Sequence, residues 1–157
     1  MKLLAASAIL TAALATLPLA AQAEGEVESA VAAWRDAPGT VFNAADVDLS
    51  EFQWVARPIL VFADSPLDPA FQTQMDNLTS EIEEIIERDV VIITDTDPSG
   101  ASDIRIEFRP RGFQMVLLGK DGARVLRKPF PYDVRELSRS IDKQPIRQRE
   151  ISENRGS

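Results

Sequence analysis

Cysteine and histidine are both absent from the 157 residues. Without cysteine there is no disulfide, no thiolate nucleophile and no sulfur ligand for a metal. Without histidine there is no imidazole base to activate a serine, and the commonest general acid–base side chain is missing. The chain shows no low-complexity stretch and no internal repeat.

The first residues read as an export signal. Lys2 supplies a short positive end, Leu3 to Leu19 is apolar apart from Ser7, Thr11, Thr16 and Pro18, and Ala21-Gln22-Ala23 has the small-x-small pattern of a cleavage site. Pro18 and the small residues beside Ala23 argue against an uncleaved spanning anchor. No cysteine follows the run to carry a lipid. The expectation is a signal peptide over 1–23, a periplasmic or secreted product beginning at Glu24, and no stable membrane anchor after cleavage. Loss of Lys2 moves the formal charge from −8 to −9. The remainder has the length of one ordinary domain, able to bury a core without disulfides.

The net charge conceals an uneven distribution. Glu24 to Ile104 holds 3 basic residues against 18 acidic, whereas Arg105 to Arg149 holds 12 basic against 5 acidic. A solvated acidic helix and a solvated basic run account for this simply, since exposed pairs are worth only about 0–1 kcal/mol. The alternative is an interaction surface, the basic third meeting an acidic protein partner or the acidic half of another copy. Nucleic acid is a poor candidate partner, because the expected mature chain is acidic overall, exported, and has no aromatic residues interleaved with the arginines.

Strand and helix signals alternate along the chain. Glu26 to Arg35 is predicted as a helix, with Val27, Val31 and Trp34 on one face, broken at Asp36-Ala37-Pro38-Gly39. Ile59 to Ala63 suits a buried strand. Asp68 and Pro69 form an N-cap and first-turn pair opening one amphipathic helix from Pro69 to Glu87, with Asp76, Glu81, Glu83, Glu84 and Glu87 facing solvent. Val90 to Ile93 reads as a strand covered on both faces. Thr94 to Ser102 is a polar loop, and Ile104 to Phe108 fits a strand or a short helix. Phe113 to Leu118 and Ala123 to Lys128 flank Gly119-Lys120-Asp121-Gly122, a hairpin signature. Asp133 and Glu136 resemble a capping box on a helix that Pro145 ends. Such mixing implies an α/β fold, a central sheet with helices packed on it.

The runs Arg57-Pro58-Ile59-Leu60-Val61-Phe62-Ala63, Arg88-Asp89-Val90-Val91-Ile92-Ile93, Gly112 to Gly122, and Ile141-Asp142 with Pro145 to Glu150 closely resemble the bacterial domain-of-unknown-function 4174 family. The resemblance runs from about Phe52 to Ile151. It divides the chain into a 24–51 extension, a 52–151 domain and a disordered 152–157 tail. It implies a thioredoxin-like or peroxiredoxin-like three-layer fold with a mixed central sheet, favours a short helix for Ile104 to Phe108, and brings no established activity. In thioredoxin-like oxidoreductases the loop after the first central strand carries the redox cysteines at a helix N-terminus. The matching stretch is Asp64-Ser65-Pro66-Leu67-Asp68, so dithiol exchange and cysteine-based peroxide reduction are both impossible. Gly112 stands where thioredoxins hold a cis proline.

The candidate binding residues are Asp64, Ser65, Asp68, Lys120, Asp121, Arg147 and Arg149. Asp64 and Asp68 suit paired carboxylates or a hard cation, though without EF-hand spacing; the simpler reading makes Asp68 a helix cap and Asp64 a loop carboxylate. Asp95, Asp97 and Asp103 form a second, weaker acidic loop. Lys120 and Asp121 are first of all turn residues and secondarily a contact point; Arg147 and Arg149 could grip a carboxylate or phosphate bidentately but read better as a solvated run; Trp34 and Trp54 are anchors for the N-terminal segment rather than a ligand cage. The expected function is a non-redox binding or scaffolding module, with no cofactor. The rival is an enzyme using the Asp64/Asp68 loop through carboxylates or a bound cation.

Overall fold

The computed structural model describes residues 29–156. The expected signal peptide and the expected start of the first helix around Val27 lie outside them. Five strands form one sheet in the order β1-β3-β2-β4-β5, where β1 is Val41–Asn43, β2 Arg57–Phe62, β3 Val90–Asp95, β4 Gln114–Leu118 and β5 Arg124–Lys128. β1, β3 and β2 run parallel; β4 and β5 are antiparallel to their neighbours. This is the mixed-sheet, three-layer thioredoxin-like arrangement. Among the described residues no helix is long and apolar enough to cross a membrane.

The two faces of the sheet alternate along each strand, as the pleat requires. Leu60, Phe62, Val91, Ile93, Val116 and Leu118 point toward Trp34 of α1 (Ala30–Asp36), Phe52 of a 3-10 turn (Leu49–Phe52), and Ile104 and Phe108 of α4 (Asp103–Phe108). Ile59, Val61, Val90, Ile92, Met115 and Leu117 point the other way, toward Leu78 of α2 (Pro69–Ser80), Ile85 of α3 (Ile82–Ile86), and Leu137 and Ile141 of α5 (Val134–Asp142). Each fully buried aliphatic or aromatic side chain stabilises the fold by about 1.5–3 kcal/mol.

The helix termini follow the local chemistry. Ala70 and Phe71 N–H groups donate to Asp68 Oδ1 at 2.8 and 3.2 Å, with Pro69 in the first turn. The single helix expected from Pro69 to Glu87 is instead two, broken at Glu81 with φ −119° and ψ 38°. Thr79 and Ser80 hydroxyls donate back to Met75 and Asn77 carbonyls just before the break, a competition that weakens a helix from within. Ile104 to Phe108 is helical, because Ser102 Oγ accepts from Arg105 N–H at 3.0 Å. Asp133 caps α5 through Arg135 and Glu136 N–H, while the Glu136 carboxylate pairs with Arg139 at 2.6 Å. Pro145 ends α5 and also starts α6 (Pro145–Arg155), so residues 152–155, expected as a disordered tail, continue a helix. The β4–β5 hairpin turns on Gly122 at φ +79°.

Trp34 is buried as expected, but Trp54 is not an anchor: it is 65% exposed. Its backbone N–H donates to Lys120 O at 2.6 Å, with φ at +64°. That left-handed conformation is rare for a bulky residue, and the ring is left facing solvent.

Candidate functional site

Three groups of polar residues stand out, at opposite ends of the sheet and along one edge. The first lies at the carboxyl ends of β2 and β3, where the Asp64–Asp68 loop leaves the sheet. Asp68 Oδ1 is engaged by the α2 cap, Ser65 Oγ accepts from Leu67 N–H at 3.1 Å, and Asp64, 63% exposed, stands 3.8 Å from Arg105. The two aspartates are thus held by different partners.

Arg105 dominates this end. Its side chain is 10% exposed, its Nη2 donates to Ala63 O at 2.7 Å and to Asp95 O at 2.9 Å, and its Nε donates to Asp95 Oδ1 at 2.9 Å. Phe62 lies under the guanidinium at 5.8 Å. Asp95 also accepts from Ser102 Oγ at 2.6 Å. Burial works against the charged form of Asp95, but the hydrogen bonds from Arg105 and Ser102 and the Arg105 charge outweigh it and hold its pKa below the usual carboxylate value. Arg105 thus ties the ends of β2 and β3 together. Asp97 closes its own turn through Ser99, and Asp103 lies exposed in the first turn of α4. Among the described residues no group of three or more acidic side chains is arranged to hold a metal ion.

The second group lies at the opposite end, where β2 and β3 begin. Arg57 is completely buried. It donates to Arg88 O at 2.8 Å and to both Glu150 oxygens at 3.0 Å, with Asp89 at 3.9 Å. Lys120 bridges Asp89 at 2.7 Å and Glu150 at 2.9 Å. Arg147 reaches Glu87, Asp142 and Glu150 at 3.4–3.5 Å, and Arg88 grips Asp142 and Glu84. Arg147, expected to be solvated, is therefore an interior residue: α6 folds back onto the sheet and buries it. Arg149 on the same helix is exposed, as is Asp121, whose Oδ1 accepts from Ala123 N–H to close the hairpin turn. Burial works against the charged form of Glu150, but hydrogen bonds from Lys120 and Arg57 and their charges hold its pKa below normal.

Sequence reasoning missed Arg57, Arg88, Asp89, Arg105 and Glu150 as a structural set. A signal existed: between Glu24 and Ile104 only three cations occur, and two of them, Arg57 and Arg88, stand at the starts of buried strands.

The third group is a basic surface on β5 and the end of α4. Arg124 stacks on Phe108 at 4.9 Å, Arg127 donates to Phe108 O and Gln114 Oε1, and Lys128 lies 4.6 Å from the Tyr132 ring centroid. Arg109 and Arg111 are exposed alongside. Among the described residues none of these five forms an ion pair.

Fold and sites together define a thioredoxin-like domain with no thiol, in which Arg105 ties the ends of β2 and β3 together. A family model described as "Domain of unknown function (DUF4174)" matches residues 48–150. The chain belongs to this family. It is similar in structure to the mitochondrial 2-Cys peroxiredoxin from Plasmodium falciparum, at 18% identity and a TM-score of 0.47, covering 61% of this chain and 79% of that one. It is also similar to StoA from Bacillus subtilis, at 13% identity and a TM-score of 0.36, covering 54% and 81%. No curated protein matches the chain.

Proposed function

We propose that the protein is an exported, non-redox binding module that engages an acidic protein partner through the basic surface of β5 and the α4 terminus. The contrast in charge pairing carries this reading. The cations of the interior network, Arg57, Arg88, Lys120 and Arg147, all have carboxylates within 4 Å, whereas Arg109, Arg111, Arg124, Arg127 and Lys128 have none among the described residues. A surface of one sign raises the encounter rate with an opposite partner and selects against like-charged ones. The complete lack of cysteine in a thioredoxin-like fold leaves surface contact as the simplest role.

The test uses fluorescent poly-L-glutamate as probe, with poly-L-lysine as control, against the mature chain and the variant Arg109→Glu with Arg111→Glu. Binding of polyglutamate that weakens with added salt and with the double reversal supports the surface; equal binding by the variant refutes it. Export is tested by fractionation and N-terminal sequencing, with Glu24 the expected first residue.

Self-association is the second reading. The exposed Asp46, Asp48, Glu51, Asp103 and Glu107 offer an acidic counterpart on the α1 and α4 side. A sedimentation coefficient independent of salt and concentration would remove it. The rival enzyme reading loses support from the engagement of Asp68 in the α2 cap.

A further inference from the structure

We infer that the outer edge of β5 accepts an acidic, extended polypeptide segment as a sixth strand of the sheet. This rests on the binding-module reading and specifies how the partner is held.

β5 is a terminal strand, paired on one side with β4 and on the other with no strand among the described residues. Such an edge presents a row of backbone donors and acceptors that an incoming chain can pair with. Proteins commonly blunt an edge with charge, and here three of the five residues are basic: Arg124, Arg127 and Lys128. The charge is of one sign only. Edge-to-edge pairing of two copies through β5 would set three cations against three, which disfavours it. A strand bearing carboxylates meets the opposite condition.

The side-chain pattern of the guest follows from the pleat. Arg124 and Arg127 lie on the face where Phe108 packs, with Arg109 at the same corner, so carboxylates on that face of the added strand would oppose guanidiniums. Leu126 faces the other side, packed against the second core cluster, where an apolar or β-branched guest residue fits. Val125, 36% exposed beside a β-bulge, lines a groove with Trp54 and Ile146 that adds apolar surface at the hairpin end. The recognised segment therefore alternates acidic with apolar or β-branched residues.

The experiment measures fluorescence anisotropy of an octapeptide alternating Glu with Val and Thr against the mature chain. Parallel arms use the same peptide N-methylated on alternate residues, and a peptide with Lys in place of Glu. Backbone amide exchange is followed with and without the parent peptide. Strand addition predicts binding of the parent, a loss of at least about tenfold on N-methylation as several backbone bonds vanish, no binding of the Lys peptide, and new protection confined to β5. Equal affinity of the N-methylated peptide, or no protection of β5, overturns strand addition while leaving the basic surface intact. Binding unaffected by Arg109→Glu with Arg111→Glu overturns the surface reading itself. Phosphatidylglycerol vesicles that bind while the peptide does not would assign the surface to membranes and also refute the inference.

Discussion

Replacing Glu150 by alanine should destabilise the protein more than replacing Arg57 by methionine, although the two form one ion pair. Arg57 is fully buried, and Glu150 supplies two of its hydrogen bonds at 3.0 Å. In Glu150→Ala the guanidinium keeps Arg88 O and a carboxylate at 3.9 Å, and an under-compensated buried charge of this kind costs about 3–5 kcal/mol. That is a large share of the roughly 5–15 kcal/mol that holds a domain together. In Arg57→Met the remaining Glu150 is 22% exposed and retains Lys120 at 2.9 Å and Arg147 at 3.5 Å, so the cost falls to about 1–2 kcal/mol, set by lost hydrogen bonds. The double variant removes the stranded charge and should be more stable than Glu150→Ala alone. The resulting coupling is about 1–3 kcal/mol. Urea unfolding followed by tryptophan fluorescence measures all three variants, since Trp34 is buried in the folded state. A double variant as unstable as the two single losses added together, or a Glu150→Ala cost under about 1 kcal/mol, would refute the reasoning.

Stability should be flat through neutral pH, because no histidine titrates there. Glu150 and Asp95 have pKa values lowered by folding. Their contributions are fully present above the unfolded-state values, about 4, and are lost as pH falls through the lower folded values; acid titration by circular dichroism should show this, and Glu150→Gln should shrink the acid-side loss. Asp68→Ala should cost about 0.5–2 kcal/mol by removing a helix cap, and Asp64→Ala less than about 0.5 kcal/mol as an exposed site, both read from urea midpoints. Arg105→Met should cost about 3–5 kcal/mol, since it strands the buried Asp95 carboxylate and frees Ala63 O; a neutral result would show that the β2–β3 end is held by other contacts. Gly122→Ala should cost about 1 kcal/mol at its φ of +79°, visible as a lower thermal midpoint.

Much of the fold was legible because its signals are local. The apolar runs at Ile59 and Val90, the Asp68-Pro69 start and the Asp-Gly hairpin each state their own structure through backbone preference and short-range hydrogen bonding. The long helix from Pro69 was misread because an apolar stripe continues across Glu81, while the break there owes more to hydroxyls bonding their own backbone. The burial of Arg147 and the exposure of Trp54 were invisible for a different reason. Each depends on how a distant segment returns, α6 onto the strand starts in one case and the hairpin carbonyl of Lys120 onto Trp54 in the other.

The amino-acid order alone determined that thiol and imidazole chemistry are absent, and it placed β2 to β5, the starts of α2 and α5 and the hairpin within a few residues, because composition and periodicity need no knowledge of neighbours in space; β1 and α6 it did not place. Tertiary structure decided which charges are interior and which meet solvent. Arg57 pairs with Glu150 across 93 positions, Arg105 with Ala63 across 42, and nothing in the local sequence distinguishes the Arg105 guanidinium from Arg109 or Arg111. Whether a cation is neutralised depends on Coulomb attraction over a few ångströms, and only the folded chain sets those distances.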